Sequence, residues 1–68
     1  MTLHDAMAAV LERAPGQMMR AGDIAAEIER RGLYRMQNGR PVEAQQIRAR
    51  VGHYGERLTK EGTFIKLL

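Results

Sequence analysis

Between positions 45 and 50 lie Gln45, Gln46, Arg48 and Arg50, side chains whose donors and acceptors match base edges and phosphate oxygens. A glutamine amide pairs with the edge of adenine, and an arginine guanidinium reaches guanine or phosphate with two parallel bonds. His53 continues the same run and meets a phosphate or nothing at all. Arg35 and Arg40, on either side of Asn38-Gly39, and Lys60, at the tip of a turn around Glu61-Gly62, complete the set as loop cations. Such cations hold a phosphate backbone in place without reading its sequence. The plain alternative for all of them is a solvated helix face, with loop charges that only keep the chain in solution.

No other chemistry is spelled as well. The chain has no Cys and no Ser. It also lacks a nucleophile elbow, a Gly-rich phosphate loop before a helix and a carboxylate cluster, so it is expected not to be an enzyme. His4 and His53 fall in different helices without a third ligand, so neither a metal nor any other cofactor is expected. Eleven basic against eight acidic residues give a net charge of +3. That balance inclines the chain toward anionic partners without the field of an obligate nucleic-acid packager. Nine of the cations are Arg, which suits phosphate and guanine, and codon usage in a high-GC genome gives the same bias. Met7, Met18 and Met19 read as gap-fillers of a small core.

The elements that must position these residues fit one domain spanning the 68 residues, which buries only about 60% of the surface its unfolded chain exposes. Thr2 with Asp5 marks a helix start, and Leu3, Met7, Val10, Leu11 and Ala14 recur on one face, predicting a first helix over about residues 3 to 13. Pro15-Gly16 ends it, and Gln17-Met18-Met19 is long enough only for a short strand. The second helix is predicted over about residues 21 to 31, with Ile24, Ala25 and Ile28 inward, closing on Gly32 as a left-handed cap and on Leu33.

Asn38-Gly39 signals a turn in the connection that follows. The third helix, over about residues 43 to 54, turns Ala44, Ile47, Val51 and Tyr54 inward. Gln45, Gln46, Ala49 and His53 then face out, with Arg48 and Arg50 on the flanks. Arg57-Leu58-Thr59, the turn Lys60-Glu61-Gly62 and the run from Thr63 to Leu68 make a hairpin with Ile65 and Leu67 on its core side and Phe64 on the other. The fold class is therefore α+β: a small winged helix-turn-helix of three helices and a short three-stranded antiparallel sheet, in which the early strand pairs with the hairpin, or wing.

Three stretches carry a family resemblance. They are Leu3…Val10-Leu11-Glu12…Pro15-Gly16-Gln17-Met18, then Asp23-Ile24-Ala25-Ala26-Glu27-Ile28-Glu29-Arg30-Arg31-Gly32-Leu33, then Gly39-Arg40-Pro41-Val42…Gln46-Ile47-Arg48-Ala49-Arg50-Val51…Tyr54. Together they resemble the HARE-HTH domain, named for homeobox, additional-sex-combs-like and restriction-endonuclease proteins. The resemblance covers nearly the whole chain, and its motifs are mainly structural. It implies a DNA-associated winged-helix module, of a kind found in restriction and transcription systems and linked to modified bases, that works beside another domain. Two features depart from the family pattern. Arg20 stands where a hydroxyl residue often caps the second helix, leaving Asp23 to compensate, and the connection between the second and third helices is longer than a simple helix-turn-helix allows.

The expected partner is double-stranded DNA, with the third helix in the major groove and the wing on the backbone. The alternative is a protein–protein adaptor. The third-helix surface around Ala49 and Gly52 lacks bulk, and Tyr34, Met36 and Phe64 would form an apolar patch for a protein partner or a further domain. No apolar run reaches the roughly 20 residues of a membrane span and the N-terminus lacks a signal-peptide pattern, so a cytoplasmic protein without a membrane partner is expected.

Overall fold

Thr2 opens the first helix as its residue type predicts: its backbone is extended and its hydroxyl oxygen accepts the Asp5 N–H at 3.3 Å. This satisfies one of the donors that a helix start leaves bare. Hydrogen bonding to Thr2 also holds the Asp5 carboxyl below its ordinary pKa, with lesser help from His4 and Arg57. The computed structural model describes residues 1–53 and 57–68. After α1 (Leu3–Glu12) come a 3-10 turn (Pro15–Gln17), β1 (Met18–Arg20), α2 (Ala21–Arg31), α3 (Ala44–His53), β2 (Leu58–Glu61) and β3 (Phe64–Leu67).

The early strand starts one residue later than the sequence predicts. Gly16 and Gln17 both adopt left-handed backbone, at φ 66° and φ 54°, and such residues cannot belong to an extended strand. α2 matches its predicted bounds at both ends. Gly32 takes the left-handed closing position at φ 65°, and the Leu33 N–H returns to the Ile28 carbonyl at 3.1 Å. α3 begins behind Glu43, whose carbonyl accepts the N–H groups of Gln46 at 3.0 Å and Ile47 at 3.2 Å. In return the Gln46 amide oxygen accepts the Glu43 N–H at 3.0 Å, the reciprocal half of a capping box.

The two glycines give opposite expectations. An added Cβ at Gly32 or at Gly52 meets nothing within 4 Å, and only Gly32 has a positive φ. Gly32→Ala should therefore cost about 1 kcal/mol through backbone strain alone, whereas Gly52→Ala, near the end of α3, should gain about 0.5 kcal/mol from lost unfolded-state freedom. Urea denaturation of both variants checks this, and the same sign for both would contradict it.

The three strands form an antiparallel sheet in the order β1-β3-β2. β3 is central, pairing Met19 with Ile65 and Arg20 with Phe64 on one side, and Leu58 with Leu67 and Lys60 with Ile65 on the other. The hairpin turn lies further along the chain than the sequence predicts. Glu61 still belongs to β2 and pairs with Phe64, so Gly62-Thr63 makes the turn, and Lys60 lies inside the strand rather than at the tip. Gly62 supplies the reason: its φ of 64° suits the first position of a two-residue hairpin turn. Leu3, Met7, Val10, Leu11, Ile24, Ala25, Ile28, Ile47, Val51, Leu58 and Ile65 close the core between the three helices and the inner sheet face, with Ala44 and Leu67 packed against it. Ala6 and Val42 join them without having been read from the pattern. The inward place predicted for Tyr54 lies outside the described residues.

Outside the core, Glu27 gathers Arg30 and Arg31, the latter at 3.0 Å, onto one carboxylate oxygen. Hydrogen bonds from Arg30 first and Arg31 second lower the Glu27 pKa from 4.5 to about 2. A folded-state pKa depressed in this way contributes stability that is complete above the unfolded value and fades as the pH falls through the folded one. Stability should therefore drop as the pH falls from 4.5 to about 2, and Glu27→Gln should flatten that acid limb. Denaturant midpoints measured over this window decide it, and an identical limb in both proteins would rule out a contribution from the pair.

Candidate nucleic-acid interface

α3 turns a narrow stripe outward. Gln45, Arg48, Ala49, Gly52 and His53 are exposed, following the three- and four-residue spacing that keeps one helix face together. Gln46 and Arg50 stand differently. Gln46 is half-buried with its amide oxygen already engaged by Glu43, and Arg50 is half-buried with an interaction of its own. The predicted pair of adjacent amides is thus divided, because the helix start recruits one of them as a cap.

A groove of about 560 Å³ runs beside this stripe, where the N-terminus of α2, the N-terminal half of α3 and the wing meet. Arg20, Arg48 and Lys60 line it together with the single carboxylate of Asp23. Each cation comes from a different element: Arg20 from the β1–α2 junction, Arg48 from α3 and Lys60 from β2. Among the described residues no carboxylate forms an ion pair with any of the three. Three positive groups around one negative group draw an anion and repel one another until it arrives. Ala21, Gly22 and Asp23, the first turn of α2, also line the groove. Arg20 caps that helix without a side-chain hydrogen bond, so the helix start adds its own partial positive charge.

Arg20 is the residue that the sequence concealed. As a helix cap it looks like a defect, yet its guanidinium lies 5.3 Å from the centre of the Phe64 ring, its cross-strand partner. The available signal was strand parity, which places Arg20 and Phe64 on one sheet face once β1 is paired with β3.

The remaining predicted contacts are spread elsewhere. Arg35 joins the end of α2 to the loop, bonding Glu29 at 2.5 Å and the Gly39 carbonyl at 2.9 Å. Arg40 is exposed just beyond the turn, where its N–H meets the Asn38 side-chain oxygen at 3.0 Å. The residues of the predicted apolar patch divide. Tyr34 and Met36 line a separate concavity with Gln37 and Asn38, Tyr34 also packs on the core, and Phe64 belongs to the basic groove. Among the described residues no group of three or more His, Asp or Glu side chains is placed to hold a metal ion, and no helix is long and apolar enough to cross a membrane.

The chain thus has a winged-helix layout with a cationic groove between its second helix, its third helix and its wing. No family model matches it, and neither a curated protein nor a solved structure does.

Proposed function

We propose that this chain is a non-catalytic winged-helix module that binds double-stranded DNA, with α3 entering the major groove and the wing lying on the backbone. The observation that carries this reading is the convergence of Arg20, Arg48 and Lys60 from three separate elements on one groove beside an exposed helix stripe. Phosphate contacts of this kind position a protein, while a side chain on the stripe, here Gln45, reads base edges. Small residues at Ala49 and Gly52 let the helix backbone approach the groove floor closely. The resemblance to the HARE-HTH domain supports the same reading and adds restriction or transcription systems, and modified cytosine, as the settings to try.

The test is a titration of duplex DNA, plain and cytosine-modified, over a range of salt concentrations. Salt-sensitive retention supports the reading, and no retention at low salt would overturn it. A protein adaptor is the second reading, favoured by the exposure of Phe64 at 37%. An adaptor would lose its partner on Phe64→Ala or Tyr34→Ala and respond weakly to salt, as an apolar contact does.

A further inference from the structure

Phe64 is the one large hydrophobic residue of a helix or strand left exposed among the described residues, at 37%. It sits at the start of β3, on the sheet face turned away from Ile65 and the core. A single exposed apolar side chain is common on protein surfaces and has no function by itself, so the case for a use rests on what surrounds the ring. Its surroundings narrow that use. Arg20 lies against the ring, and Arg48 and Lys60 line the same groove. Glu61, the carboxylate directly across from Phe64 on β2, is paired with Lys66 at 3.7 Å. An aromatic ring beside one cation, in a groove lined by two more and with no carboxylate paired to any of the three among the described residues, is an arrangement that takes a base by stacking and its backbone by charge.

We propose that Phe64 and Arg20 hold one unpaired nucleotide of a DNA strand, its base stacked at the ring and its flanking phosphates on Arg48 and Lys60. The groove volume of about 560 Å³ falls in the range of about 300–1,000 Å³ typical of small-ligand clefts. An anionic occupant also matches the excess of cations over Asp23. This inference rests on the DNA reading above and deepens it: the module favours duplex that adjoins single strand, such as an overhang or a gap, over continuous duplex.

Fluorescence anisotropy with three DNAs tests it: a blunt duplex, the same duplex with a short thymidine overhang, and that duplex with an overhang of abasic nucleotides. The thymidine overhang should bind about 5- to 150-fold tighter than the blunt duplex, the gain expected from stacking one base. The abasic overhang, equal in phosphates, should lack that gain. Phe64→Leu, checked for an unchanged thermal melt, should bring the thymidine and abasic overhangs to the same affinity. Equal affinity for those two overhangs in the parent protein would overturn the inference, as would a preference that survives in Phe64→Leu. Blunt-duplex binding without any overhang preference leaves the duplex reading standing and removes this one. Overhang binding that depends on Phe64, without blunt-duplex binding, does the reverse.

Discussion

Replacing Arg48 and Lys60 together by Ala should weaken duplex DNA binding by about a hundredfold or more while leaving the fold intact. Hydrogen bonds to charged groups contribute about 1.5–3 kcal/mol each, so two lost contacts amount to about 3 kcal/mol or more. Both side chains are exposed, and exposed residues without specific partners change stability by about 0.5 kcal/mol or less. Salt provides the sharper readout. If the three groove cations each neutralise one phosphate, log affinity falls against log salt with a slope of about −2.7, and the double variant should retain a slope of about −0.9 through Arg20. Gln45→Ala should leave the slope alone and relax discrimination at one base position by about 1–3 kcal/mol. Identical slopes for parent and double variant would show that these cations do not touch phosphate.

Ile47→Ala should remove most of the stability of the domain. Ile47 is fully buried on the face of α3 that meets the core, as are Ile24 and Ile28 of α2. Truncating a buried isoleucine to alanine costs about 2–5 kcal/mol, part of it from the cavity that remains. Native stability runs at about 0.05–0.15 kcal/mol per residue, so a chain of this length holds only about 3–10 kcal/mol in total. Urea denaturation followed by circular dichroism should show a large drop in midpoint for Ile47→Ala and a loss of about 0.5–1.5 kcal/mol for Ile47→Val. A loss below about 0.5 kcal/mol in the alanine variant would mean that the helix packs through another face.

These two experiments also separate fold from function. Ile47 tests how α3 is held, while Arg48, its neighbour in sequence, tests what the helix presents. Adjacent residues on a helix point about 100° apart, so one sits in the core and the other in the groove.

Several features were legible in the residues alone because their causes are local. Both ends of α2 were read correctly: the apolar spacing of Ile24, Ala25 and Ile28 lies within one element, and Gly32 closes it through a bond to Ile28 a few residues back. The Thr2 cap of α1, the buried face of α3 at Ile47 and Val51, and the parity of Ile65 and Phe64 rest on equally short distances. The three helices and the three-stranded sheet followed from those patterns. What tertiary structure decided involves partners far apart in the chain. Pairing of β1 with β3 brings Arg20 to Phe64 and turns an apparently poor helix cap into a wall of the groove. Pairing of β2 with β3, with the turn set at Gly62-Thr63, moves Lys60 off the hairpin tip and into the groove with Arg48. Arg35 was drawn instead toward Glu29 and Gly39, and Gln46 toward Glu43. The type of each residue is written in the sequence, but its neighbour across a sheet depends on register, and register is set by the whole core at once.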